Sequence, residues 1–352
     1  MNRFDYVRPA TIPEAIAAAA SEGAAYLGAG TNLLDLMKGG AARPTRLVDV
    51  THLQGLDAIE RLADGDLRIG ALVRNADLAF DRAFAADFPV IAEALLSGAS
   101  PQLRNAATIG GNLLQRTRCP YFYDTASACN KRVPGAGCDA RDGDNRLHAV
   151  LGWSEHCIAT HPSDLCVPLA ALDAVVEIEG AAGRRDVPIA DLHRLPAESP
   201  HQDTALVQGD LIVAVRLPAA SRALARHARY IKVRERTSYA FALVSVAAAL
   251  DIEDGGIRDA RIALGGVAAK PWRDKAAEAL LKGRAPDRAA FERAAQAALA
   301  EAKPSGDNAF KIDLARRVIV RALMRAAAGA PDRLPPLPAS PFATSAGEID
   351  HD

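Results

Sequence analysis

No apolar run in this 352-residue chain approaches the roughly 20 residues that a membrane span needs. The opening Met1–Pro9, with Arg3, Asp5 and Arg8, lacks the apolar core of an export signal. No membrane span is expected, and the cytoplasm is the expected compartment, with co-export on a partner's signal as the route to the periplasm. A surplus of either charge is also missing. The 42 Lys and Arg against 43 Asp and Glu give a formal net charge of -1, without the basic excess that nucleic-acid binding rests on. Cysteine is absent outside one stretch, and all five lie between Cys119 and Cys166. An odd number crowded into one segment points to a local ligand site and not to a disulfide framework.

What is present is the composition of an ordinary globular protein, 49% hydrophobic and 24% charged, long enough for two or three packed units. A cap and first-turn proline at Thr11-Ile12-Pro13 open a helix to Ala20, and Ala24–Leu27 reads as a strand entering a glycine turn. Further strands are expected at Arg46–Val50 and Leu67–Ile69, with helices at Asn75–Phe84 and Val90–Leu96. Leu113–Thr160 is long, rich in cysteine and glycine and poor in apolar periodicity, as functional loops are. A helix at Leu165–Leu172 and strands at Ala174–Ile178 and Leu211–Leu217 follow. Then come strands at Tyr230–Val233, Leu243–Leu250 and Ile257–Leu264, the last two joined by an Asp254-Gly255-Gly256 hairpin turn. Helices are expected at Lys275–Leu281, Arg288–Lys303 and Ile312–Ala328. The units are therefore 1–220, 221–330 and an extended or disordered tail, 331–352.

Gly28-Ala29-Gly30-Thr31-Asn32 after a strand can bring backbone amides against a pyrophosphate, because glycine removes the side chains that would block the approach. An ordinary strand-to-helix turn explains the segment equally well. It is not a Rossmann fingerprint, since Leu33 replaces the last glycine of G-x-G-x-x-G, and Asp49 downstream reads as readily as a solvent-facing strand end. Thr108-Ile109-Gly110-Gly111-Asn112 is a second glycine turn with another pair of exposed amides, so one diphosphate held from two sides is the expectation.

Cys119, Cys129, Cys138 and Cys157 are separated by 9, 8 and 18 residues, with Cys166 a further 8 on, and none forms a C-x-x-C pair. That departs from structural zinc and from the bacterial ferredoxin run. A [4Fe–4S] cluster on the first four, a zinc ion, and unligated thiols stay open; Arg116, Arg118, Lys131 and Arg132 could offset cluster charge. Cys166, in the apolar Leu165–Leu169 stretch, reads as a buried structural thiol.

Leu27–Met37, Thr108–Asn112 and His161-Pro162-Ser163-Asp164-Leu165 together resemble the FAD-binding medium subunit of the xanthine dehydrogenase and carbon monoxide dehydrogenase superfamily, over nearly the whole chain. Gln115 through Cys129–Arg132 and Asn145–Ala149 are similar to bacterial three-subunit aldehyde oxidoreductases. The resemblance implies an α+β fold, a vanillyl-alcohol-oxidase-type FAD domain in two subdomains followed by a C-terminal domain with a three-stranded sheet and helices. It implies that Leu27, Gly28, Ala29, Gly30, Thr31, Asn32 and Leu34 wrap the pyrophosphate and that Thr108, Gly111 and Asn112 complete that site. Gly98 and Ala99 would lie near the adenine, Asp164 on a hydroxyl, Ile212 and Lys232 near the flavin, with Tyr239 a weaker stacking candidate. It further implies a [4Fe–4S] cluster on Cys119, Cys129, Cys138 and Cys157, and no catalytic residue in this chain. The partners implied are a large molybdenum subunit, a small [2Fe–2S] subunit and an external electron acceptor. Rival expectations are a self-contained flavoenzyme, for which His148, His156 and His161 form no persuasive active-site set, and a flavin-free cluster protein.

Overall fold

A computed structural model describes residues 1–330, so the expectation for 331–352 lies outside the described residues. Strands β1 (Asp5–Val7), β2 (Ala24–Leu27) and β3 (Arg46–Asp49) form a parallel sheet in the order β1-β3-β2. The helix Ile12–Ala19 joins the first two. It starts where the Thr11 hydroxyl accepts from the Glu14 amide at 3.3 Å, with Pro13 in the first turn, where its missing N–H costs nothing.

Strands β4 (Ile59–Arg61), β5 (Leu67–Gly70), β6 (Val175–Gly180), β7 (Gly183–Pro188) and β8 (Leu211–Leu217) make an antiparallel sheet ordered β4-β5-β8-β6-β7. The unbroken apolar run Leu211–Val215 is buried on both faces and takes the centre. The polar β7 takes an edge. Strands β9 (Ala228–Val233), β10 (Val244–Glu253), β11 (Gly256–Gly265) and β12 (Trp272–Arg273) form the third sheet, ordered β12-β11-β10-β9. The expected hairpin turn is there: Asp254 (φ 51°) and Gly255 (φ 77°) are both left-handed, as a two-residue loop between twisted strands requires. The expected three-stranded sheet gains the two-residue edge strand β12. Helices Arg288–Ala298 and Phe310–Ala327 join this sheet in one core containing Phe291, Ile319 and Leu323.

Helix Pro89–Ser97 ties the units together, since the Glu93 carboxylate accepts from Arg229 Nε at 2.9 Å and the Tyr230 amide at 2.6 Å on β9. The helix expected at Asn75–Phe84 is two, Asn75–Phe80 and Arg82–Asp87, because extended Asp81 caps the second through a 2.7 Å bond from the Phe84 amide. Residues 114–160 are irregular as expected, apart from the one-turn helix Pro120–Tyr123, while Leu113 closes the helix Ile109–Leu113. Among the described residues no helix is long and apolar enough to cross a membrane.

Candidate functional site

A cavity of about 560 Å³ opens where helix Pro89–Ser97, both glycine segments, the start of the cysteine-rich segment and the β9–β10 connection meet. Among the residues expected from the sequence, Thr31, Asn32, Gly98, Ala99, Gly111, Asn112, Asp164 and Lys232 line it, as does Tyr239. Leu27, Gly28, Ala29, Gly30, Leu34 and Thr108 are not part of its wall. Ile212 lies buried in β8, within the large core, and is not part of the wall either.

The first glycine segment behaves as a nest of donors. Gly30 takes φ +76°, which favours glycine, and none of the amides from Ala29 to Asn32 meets an acceptor within the chain among the described residues. The second segment differs from expectation. Thr108 caps the short helix Ile109–Leu113, its hydroxyl accepting from the Gly111 amide at 3.3 Å, while the Gly110 amide donates to Ala71 O at 2.8 Å. Those amides are engaged and are not a free pair. The two segments are nevertheless neighbours, because a Cβ on Gly28 would sit 3.4 Å from Thr108 Oγ1. Asp49 is buried and not solvent-facing: it accepts from Tyr6 Oη and from the Thr51 amide and hydroxyl at 2.9 and 2.7 Å.

Further cavity residues escaped the sequence reading. Asn75 and Arg104 are 4% and 3% exposed, yet Asn75 Oδ1 and Arg104 Nε have no partner; neither do the buried Asn32 Nδ2 and Arg118 Nε. All four belong to lining residues. An unmet buried polar atom costs about 1–3 kcal/mol; these four are shielded behind the wall, and it is the free amides of the first glycine segment, next to lining residues rich in donors, that fit an anionic dinucleotide. Asn32 is aimed by its other amide atom, Oδ1, which accepts from the Arg116 amide at 2.9 Å. Asn112 is held by Gln115 Nε2 at 2.8 Å and Ser163 Oγ at 2.6 Å. Arg104 Nη1 donates to Gly98 O at 2.6 Å, and Arg118 lies over the Phe241 ring at 4.7 Å.

Across the Arg118–Cys119 peptide lies a second, small cavity lined by Cys119, Cys129, Cys138 and Cys157 with Phe122, Ile158 and Ala159. All are free thiols. Burial pushes Cys119 up to about 12 and Cys157 up to about 11, and raises Cys138, so these three thiols are protonated at neutral pH and a metal binding there would have to displace their protons. Of the cations read as charge partners, Lys131 lines this cavity and its charge partly offsets the burial of Cys157 while its ammonium is paired with Asp203, and Arg132 donates to Tyr121 O and Phe122 O at 2.8 Å. Among the described residues, the only group of three or more metal-ligating side chains gathered within 4.8 Å is His161, Cys166 and His193. No three of the four loop sulfurs lie within 4.8 Å of one another, a wider spacing than the roughly 3.8 Å between thiolates on a tetrahedral zinc ion.

Residues 2–220 match the family described as FAD binding domain in molybdopterin dehydrogenase, and residues 229–326 match the CO dehydrogenase flavoprotein C-terminal domain. The chain is 51% identical over 332 residues to the aldehyde oxidoreductase FAD-binding subunit PaoB of Escherichia coli K12, covering 94% of this chain and 100% of that protein. It is 29% identical to the carbon monoxide dehydrogenase medium chain of Hydrogenophaga pseudoflava, over 91% of this chain and 96% of the other. Solved carbon monoxide dehydrogenase from that organism superposes with a TM-score of 0.72 at 28% identity, covering 93% and 98% of the two chains. Quinoline 2-oxidoreductase from Pseudomonas putida 86 gives 0.71 at 25% identity, with the same coverage. This chain therefore belongs to the FAD-binding medium subunits of the xanthine dehydrogenase and carbon monoxide dehydrogenase family, oxidoreductases that act in complexes.

Proposed function

We propose that this chain is the FAD-carrying electron-transfer subunit of a molybdenum-dependent aldehyde oxidoreductase. In this reading a large molybdenum subunit oxidises the aldehyde, a small [2Fe–2S] subunit relays the electrons, and this chain passes them to an external acceptor. The observation that carries the reading is a large cavity beside free backbone amides and next to a small cavity lined by four cysteines, in a chain 51% identical to an aldehyde oxidoreductase FAD-binding subunit. FAD supplies two-electron storage when bound. The free amides of Ala29–Asn32 hold the diphosphate, Gly98, Ala99 and Arg104 the adenine end, and Asp164 a hydroxyl. Cys119, Cys129, Cys138 and Cys157 hold a [4Fe–4S] cluster, whose iron binds thiolate sulfur and whose size suits sulfurs spread wider than one ion allows. Arg118 and Cys119 are adjacent residues on the two cavities, which supports a cluster close to the flavin.

The test is aldehyde turnover by the isolated, flavin-loaded chain against the assembled complex. The chain alone is expected to be inert and the complex active. Turnover by the chain alone would replace this reading with that of a self-contained flavoenzyme.

A further inference from the structure

His148 is fixed from its backbone. Its carbonyl accepts from Lys311 Nζ at 2.8 Å and from Asn308 Nδ2 at 3.1 Å, and its amide donates to Asn145 O at 2.9 Å. Lys311 is fully buried at the start of helix Phe310–Ala327 and also donates to Leu147 O at 3.0 Å and Gly266 O at 2.6 Å. The C-terminal unit thus clamps this part of the cysteine-rich segment. The clamped imidazole, 4% exposed, places Nε2 3.2 Å from Cys119 Sγ. Cys119 is the cysteine that directly follows the FAD-cavity residue Arg118. Among its fellow cysteines, Cys157 meets a weaker donor, the Ala159 amide at 3.5 Å.

A sulfur bound to iron has no proton to give, so in a 3.2 Å contact with it the imidazole nitrogen must donate. We propose that His148 is a positioning residue that donates Nε2–H to the Cys119 sulfur and raises the reduction potential of a cluster on Cys119, Cys129, Cys138 and Cys157; this rests on the cluster reading above. The physical cause is electrostatic. Reduction adds negative charge that spreads onto the sulfurs, and a hydrogen bond to sulfur strengthens with that charge, favouring the reduced form.

The experiment compares wild type, His148→Leu and His148→Gln in the assembled complex, measuring iron per chain and the cluster midpoint by EPR-monitored reductive titration. The leucine variant is expected to keep its iron and titrate at a more negative potential, with glutamine, which still offers an N–H, closer to wild type. Full iron with an unmoved midpoint in the leucine variant overturns the proposal. If leucine loses the iron, glutamine decides: iron kept with a midpoint near wild type upholds the donor role, and iron lost overturns it. A wild-type chain without iron instead refutes the cluster reading beneath it, a result distinct from an unmoved potential.

Discussion

Lys232 Nζ lies 2.7 Å from Asp164 Oδ2, an ion pair whose side chains are only 4% and 10% exposed. The second carboxylate oxygen accepts from Tyr230 Oη at 2.6 Å, and Lys232 also reaches Ser97 O at 3.3 Å. Two residues that the sequence assigns to the cofactor separately are thus one unit joining β9, helix Pro89–Ser97 and the cavity wall.

Asp164→Ala is expected to destabilise the chain by about 3–5 kcal/mol, because it strands a buried ammonium. Adding Lys232→Met to it should restore much of that stability, whereas flavin content should stay low in both variants. Urea unfolding and flavin-to-protein ratios check this, and flavin retained in the double variant would remove Asp164 from the site.

Asn32→Asp keeps the Oδ1 acceptor for the Arg116 amide and exchanges the unmet Nδ2 for an anionic oxygen. The new charge sits beside the free amides that hold the diphosphate, and like charges about 4 Å apart repel by about 1–4 kcal/mol, so FAD affinity should fall roughly tenfold to a hundredfold with little loss of Tm. Unchanged affinity in a fluorescence titration would move the diphosphate elsewhere.

Gly30→Ala is expected to cost stability even without flavin, since Gly30 has φ +76° and a Cβ would sit 2.7 Å from Leu34 Cδ1. Left-handed backbone costs a non-glycine residue about 1–2 kcal/mol. Gly111→Ala meets only Thr108 Oγ1, at 3.1 Å, and should cost less. Thermal unfolding of both apo variants checks the order, and equal losses would contradict it.

His161 and His193 face each other with ring centroids 4.3 Å apart. Burial holds His193 below the ordinary imidazole range, and burial with the neighbouring His193 ring holds His161 well below it. Both are neutral when folded, while the unfolded chain takes up protons near pH 6.5. Their contribution is therefore complete above about pH 6.5 and is lost as pH falls from there toward the lowered folded values. Tm measured from pH 7.5 to 5 should drop less steeply in His161→Gln/His193→Gln than in wild type; parallel profiles would contradict the assignment.

The β10–β11 hairpin, the Thr11 cap and the β8 strand were legible because each follows from local residues: Asp254-Gly255, a threonine before Pro13, an apolar run. Strands β4 and β7 were not, because Ile-Glu-Arg and Gly-Arg-Arg-Asp carry little apolar signal and are recruited by neighbours. Part of the cavity wall was legible for the same reason. Thr31 and Asp164 sit in recognisable stretches, whereas Asn75 enters from a helix that read only as scaffold and Arg104 from the one-turn helix Pro101–Arg104, which has no apolar periodicity to announce it. Thr108–Asn112 read as a turn because a glycine pair masks a one-turn helix that a threonine cap stabilises.

The most direct test of the account is the cofactor content of the purified chain, with flavin, iron and acid-labile sulfide quantified on one sample. The account predicts one FAD per chain with about four iron and four sulfide. A chain that holds iron and sulfide but no flavin, or flavin with no iron, would contradict it.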